Sequence, residues 1–270
     1  MIDNNNKLRV ALIGHGAIGR VIARELLALA PTAGVELVGV LCRHAQEGAG
    51  LPVPVCTTRE ALLALAPQLV VEAAGHEAVR EHGPACLEAG ADLLVVSVGA
   101  LAEAPLLERL EATARAAERQ VLLPAGALAG LDWLQAARLA GLASVCYRSR
   151  KPPEAWRGTP AEALLDLGRV SEATVFFRGS AREAARQYPK NANVAATLAL
   201  CTLGLDATEV ELIADPAAGG NVHEIEARGG VGRLSLQVQN QPAPDNPKTS
   251  LVTPYSALRT VMARRAAVSV

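Results

Sequence analysis

Three glycines at fixed spacing, in Gly14-His15-Gly16-Ala17-Ile18-Gly19, follow the apolar stretch Leu8 to Ile13. They open a segment, Ala17 to Leu29, whose apolar residues recur at helical spacing. A strand, a glycine turn and a helix in that order make a specific device. Gly14 permits the tight turn, Gly16 leaves room for a pyrophosphate at the backbone, and Gly19 lets the helix lie against the strand. The helix start adds unpaired N–H groups and a partial positive charge. The expectation is a dinucleotide-binding loop formed by Gly14, Gly16, Ala17, Ile18 and Gly19; a glycine-rich turn with no ligand is the plain alternative.

The strand-then-helix rhythm continues. Val35 to Leu41, Leu69 to Ala73, Leu93 to Val96 and Gln120 to Leu123 read as strands; Arg59 to Leu65, Ala78 to Ala89 and Ala104 to Arg119 read as helices. Short strands, apolar on both faces and separated by helices, imply a parallel sheet covered on each side. After Pro124 the pattern changes. Helix Leu131 to Ala140 leads to strand Ser144 to Ser149, a Pro- and Gly-rich loop follows from Lys151 to Pro160, and four more strands are expected. These are Ala173 to Arg178, Thr208 to Ala214, Val222 to Arg228 and Gly232 to Gln239, with helices at Ser180 to Gln187 and Asn193 to Leu203. The fold class is therefore α/β: a Rossmann-type doubly wound parallel sheet plus a second α+β domain with a mainly antiparallel sheet. Its expected parts are residues 1–125 for the dinucleotide, 126–240 for substrate, catalysis and oligomerisation, and 241–270 as a Pro-rich link and a C-terminal helix returning to the first domain.

Composition removes several function classes. The 26 basic and 27 acidic side chains nearly cancel, to a formal net charge of −1, so no broad field exists to hold nucleic acid or an anionic membrane. No apolar stretch reaches a membrane-spanning length, the polar N-terminus fits no signal peptide, and a cytoplasmic protein is expected. Cys42, Cys56, Cys86, Cys146 and Cys201 are scattered, without the close pairs of a metal site or redox dithiol, and read as free thiols.

The choice between NAD and NADP turns on the end of the second strand. A carboxylate there would bind the ribose hydroxyls, but the chain reads Leu41-Cys42-Arg43-His44. Arg43 can pair with a 2′-phosphate or stack on adenine, so NADP is expected to be accepted alongside NAD; a solvated surface arginine is the alternative. Ligands of open parallel sheets gather at the carboxyl ends of the strands. That singles out Ala74, Gly75 and His76 after the third strand and Ser97 and Gly99 after the fourth, with His76 a candidate toward substrate or a structural loop histidine.

Taken with the glycine loop, five further segments resemble L-aspartate dehydrogenases. They are Glu72-Ala73-Ala74-Gly75-His76, Val96-Ser97-Val98-Gly99-Ala100-Leu101, Gly126-Ala127, Tyr188-Pro189-Lys190-Asn191-Ala192-Asn193-Val194-Ala195-Ala196 and Asn221-Val222-His223. The resemblance covers nearly the whole chain. It implies NAD- or NADP-dependent oxidative deamination of L-aspartate to oxaloacetate and ammonia through iminoaspartate, with a possible link to NAD biosynthesis. It also implies His223 as the catalytic histidine, and Ala127 and Asn193 as cofactor contacts. The chemistry agrees: imidazole suits both the removal of a proton from the amine and the activation of water at the imine. Asn193 also reads as an N-cap of the helix it opens.

A dicarboxylate needs cations, and the chain has only four lysines, Lys7, Lys151, Lys190 and Lys248. Lys190 or Lys248 could hold a substrate carboxylate, as could Arg148 or Arg182, with surface solvation the plain alternative for each. Two other functions compete. A homoserine or sugar dehydrogenase would share the layout, although Ser97-Val98-Gly99 stands where sugar enzymes carry a Glu-Lys-Pro element. A non-enzymatic dinucleotide-sensing regulator would need a partner-binding second domain. A homodimer is expected because open antiparallel sheets tend to pair.

Overall fold

The computed structural model describes residues 7–189, 192–244 and 246–268. In the first part of the chain β1 (Leu8–Ile13) leads to α1 (Ala17–Leu29), and β2 (Val35–Leu41) follows. Next come β3 (Val55–Cys56), α2 (Arg59–Leu63), β4 (Leu69–Glu72), α3 (His76–Glu88), β5 (Asp92–Val95), α4 (Ala104–Ala116) and β6 (Val121–Leu122). The six strands form one parallel sheet in the order β3-β2-β1-β4-β5-β6. The order reverses between β1 and β4, and a crevice at the carboxyl ends of such a pair is where doubly wound sheets take ligands. The strand Val55–Cys56 was not expected from the sequence, because two residues carry no periodicity.

The second part holds α5 (Leu131–Leu139), β7 (Leu142–Lys151), α6 (Ala161–Leu164), β8 (Thr174–Ser180), α7 (Ala181–Gln187) and α8 (Asn193–Cys201). β9 (Glu209–Ala214), β10 (Asn221–Gly229), β11 (Gly232–Asn240), β12 (Pro242–Ala243) and β13 (Asn246–Ser250) follow. Five of these strands form a sheet in the order β11-β10-β7-β9-β8, antiparallel except for the parallel pair β7 and β9. A capping box starts α7: Ser180 Oγ accepts from the Glu183 amide at 3.2 Å, and the Glu183 carboxylate accepts from the Ser180 amide at 2.7 Å. Asn193 is not the N-cap of α8; that place is taken by Ala192, without a side-chain cap, and Asn193 is the first helical residue. The segment after residue 240, expected as a link, instead carries the small antiparallel pair β12 and β13.

α9 (Val252–Ala263) closes the chain. The molecule divides into two compact units, Met1–Pro124 with Pro254–Val270, and Ala125–Thr253. In the first, Val10, Leu12, Ile22, Leu26, Val40, Val71 and Leu94 form a core completed by Ala257, Leu258 and Val261 of α9. Each buried Val, Leu or Ile side chain contributes about 1.5–3 kcal/mol. Arg264, just past α9, donates to the buried Asp92 carboxylate at 2.5 Å, which ties the end of the chain to β5.

Candidate functional site

The residues singled out from the sequence fall into two clusters, one in each unit. In the first unit the turn after β1 has the geometry of a phosphate cradle. Gly14 lies at φ +93°, and a Cβ there would come within 2.7 Å of the Ala74 side chain. A Cβ at Gly19 would lie 2.1 Å from the Gly14 carbonyl oxygen, so both positions exclude any other residue. A Cβ added to Gly16, the N-cap of α1, would meet nothing within 4 Å, and the first turn of that helix holds no acidic residue. An open backbone beneath an uncompensated helix start fits a pyrophosphate. Gly14, Gly16 and Ala74 line a cavity of about 940 Å³, whose wall also includes Arg20, Arg43, Thr58 and Arg59.

Arg43 is largely exposed, 3.9 Å from Glu47, and so stands on the rim with its guanidinium held only weakly. His15 is not aimed at a phosphate: its Nδ1–H donates to the Glu47 carbonyl at 2.6 Å, fastening the glycine turn to the loop after β2.

A buried carboxylate organises the other two loops. Glu72 ends β4 and is 1% exposed. Its Oε1 accepts from the Ala74 amide at 2.7 Å, the Gly75 amide at 2.8 Å and Ser97 Oγ at 2.9 Å, while Oε2 accepts from the Ser97 amide at 3.1 Å. Burial pushes this carboxyl above its usual range, and the donated hydrogen bonds oppose that push. Ala74, Gly75 and Ser97 therefore have fixed positions, Gly99 lies in the 3₁₀ turn Val98–Ala102, and His76 is the first residue of α3. Glu72 belongs to a motif quoted from the sequence, but its organising role was missed; a lone carboxylate in the apolar strand Leu-Val-Val-Glu was the available signal.

In the second unit β7 and β10 pair in register, with His223 opposite Ser149 and Ile225 opposite Tyr147. Tyr147 Oη lies 2.7 Å from His223 Nδ1, and the rings stack at an interplanar angle of 14°. His223 is 3% exposed, and its Nε2 is buried with no hydrogen-bond partner among the described residues. Burial, with the nearby charge of Lys151, pushes the imidazole down to about 3 from an ordinary 6.5. This imidazole is therefore neutral at physiological pH. The shift also bears on stability. The unfolded chain takes up the proton near 6.5 and the folded one only near 3, so His223 favours the fold above pH 6.5 and loses that effect as the pH falls toward 3.

In the tautomer whose Nδ1–H donates to Tyr147 Oη, the neutral imidazole keeps a lone pair on Nε2 that can accept a proton. Tyr147 is itself fully buried, and burial drives its hydroxyl far above the usual phenol range, so it stays protonated. Ala127 is buried, and its carbonyl accepts from Asn240 Nδ2 at 2.9 Å; Asn193 accepts from Thr197 Oγ1 through its backbone carbonyl. Lys190 lies outside the described residues. Two expected cations are engaged elsewhere: Arg148 with Glu211 and Glu226, and Arg182 with Asp206. Among the described residues no helix is long and apolar enough to cross a membrane.

Comparison with known proteins places this geometry in context. The family model "Aspartate dehydrogenase, C-terminal" matches residues 132–264, and "Homoserine dehydrogenase, NAD binding domain" matches residues 14–124. The L-aspartate dehydrogenase of Cupriavidus necator is 47% identical, over 97% of this chain and 100% of its own length. That of Pseudomonas aeruginosa is likewise 47% identical, over the same shares of the two chains. The crystal structure of aspartate dehydrogenase from Thermotoga maritima superposes with a TM-score of 0.76 at 26% identity, covering 97% of this chain and 99% of that one.

Proposed function

The chain belongs to the L-aspartate dehydrogenase family, and we propose that His223 is the acid/base residue of its reaction. The activity is the NAD(P)-dependent oxidative deamination of L-aspartate to oxaloacetate and ammonia by way of iminoaspartate. When bound, the dinucleotide accepts the hydride from the substrate Cα. Gly14, Gly16, Ala17, Ile18 and Gly19 hold its pyrophosphate, with Ala74, Gly75, Ser97 and Gly99 toward its nicotinamide half.

A hydride leaves Cα only when the nitrogen is uncharged and its lone pair can form the C=N bond. His223 Nε2 takes the proton from the substrate ammonium. That proton passes on to solvent, which leaves Nε2 neutral again; it then draws a proton from the water that adds to the imine carbon and delivers it to the departing nitrogen. The observation that carries this reading is the buried Nε2 with no partner, on a ring whose Nδ1 is already engaged by Tyr147.

The test is turnover of L-aspartate with NAD or NADP, followed as reduced-nicotinamide absorbance. His223→Ala should cut it by about 10²-fold or more while dinucleotide affinity stays unchanged. Unchanged turnover would remove His223 from the mechanism.

Finer features belong to the same proposal. Arg43 admits NADP by meeting its 2′-phosphate. Ala127 and Asn193 contact the cofactor by family position, while His76, from the loop after β4, and Lys190, from its place in a family motif, bind substrate. The protein works in the cytoplasm, its imine product can feed NAD biosynthesis, and two copies pair through the second unit. Light scattering in solution checks the pairing.

A further inference from the structure

L-aspartate brings two carboxylates to a neutral imidazole, and burying them requires cations close by. Arg148 and Arg150 of β7 do not serve. Side chains alternate along a strand, and Arg148 pairs in register with Glu224, so Arg148 and Arg150 lie on the face opposite His223. There they are consumed by carboxylates: Arg148 by Glu211 at 2.8 Å and Glu226 at 3.2 Å, Arg150 by Asp215 at 3.0 Å and Glu224 at 3.2 Å.

Lys151 lies on the other face. Along β7, Tyr147, Ser149 and Lys151 share one side of the sheet; Ser149 is opposite His223, so Tyr147 and Lys151 are its two diagonal neighbours. Lys151 is only 4% exposed, its ammonium lies 5.2 Å from the Trp156 ring centroid, and Trp156 is itself fully buried with its indole N–H on the Ile213 carbonyl. A buried ammonium on a rigid aromatic support, diagonal to a buried nitrogen with no partner, is suited to an anionic ligand.

Building on the aspartate dehydrogenase reading, we propose that Lys151 binds a carboxylate of L-aspartate and sets it beside His223 Nε2. The pairing also times the chemistry. Before substrate arrives, burial and the neighbouring ammonium together keep the imidazole unprotonated. The incoming carboxylates offset that charge and raise the affinity of Nε2 for the proton it must take.

Succinate, a dicarboxylate without an amine, reports binding apart from catalysis. The replacement Lys151→Met keeps an apolar chain over the indole and removes the charge. It should raise the inhibition constant of succinate and the KM of L-aspartate by about 10²-fold, leave NAD(P) affinity unchanged and be partly rescued by Lys151→Arg. A succinate constant within about threefold of wild type in a folded Lys151→Met protein overturns the proposal.

A second measurement needs no variant of this residue. With only four lysines in the chain, the Lys151 side-chain nitrogen can be assigned in ¹⁵N spectra by elimination, through variants of the other three. Saturating succinate should shift it, and an unmoved resonance overturns the proposal as well. Failure of the wild-type enzyme to turn over L-aspartate would instead strike the parent reading, so the two failures are distinguishable.

Discussion

Replacing Tyr147 with phenylalanine removes one oxygen and nothing else. The ring keeps its place on β7, diagonal to His223 of β10, but His223 Nδ1 loses its contact at 2.7 Å in a buried site. An orphaned buried polar group costs about 1–3 kcal/mol. At about 2–4 °C per kcal/mol for a protein of this size, the melting temperature should fall by roughly 2–12 °C. The same loss acts on the tautomer. Without Tyr147 to receive it, the imidazole proton is no longer held on Nδ1, and the Nε2 lone pair is lost for much of the time. A penalty of that size translates into a fall in kcat of about 10- to 10²-fold. The assay pairs thermal unfolding with initial rates on L-aspartate and a dinucleotide titration, whose affinity should not move. A protein that melts lower as expected yet keeps its full kcat would show that Tyr147 supports the fold alone, refuting the tautomer argument.

Three other substitutions probe the first unit. Because a Cβ at Gly16 would meet no protein atom within 4 Å, Gly16→Val should melt like wild type yet bind dinucleotide at least 10²-fold more weakly by titration. Arg43→Ala should weaken NADP about 3- to 10-fold more than NAD, a modest figure because the guanidinium is exposed; parallel losses would end its assignment to the 2′-phosphate. Glu72→Ala strips the shared acceptor from two loops. It should weaken NAD more than ADP-ribose, which lacks the nicotinamide, and equal losses would confine Glu72 to general stability.

Much of the architecture could be read from local pattern. The glycine turn and the apolar strands around it are local properties, and the first sheet follows from them. Where local signal was short, the reading missed: Val55–Cys56 is too brief to show a period, and Asn193 resembles a cap although Ala192 holds that position. The substrate-side chemistry was less legible for a different reason. Tyr147 and His223 are 76 residues apart and meet only through strand register, and the same register sends Arg148 to the far face and brings Lys151 near. The depressed imidazole is a consequence of burial, which no histidine reveals in a string of letters.

Those substitutions and pairings converge on the state of one ring nitrogen, and ¹⁵N-histidine spectroscopy reads it directly. With five histidines in the chain, His223 can be assigned by its loss in His223→Asn. The account predicts a neutral ring with its proton on Nδ1, unchanged from pH 8 down to about pH 5 because its proton affinity is pushed down to about 3, and moving upward when succinate is added. A resonance that titrates near 6.5, or a ring carrying its proton on Nε2, would contradict it.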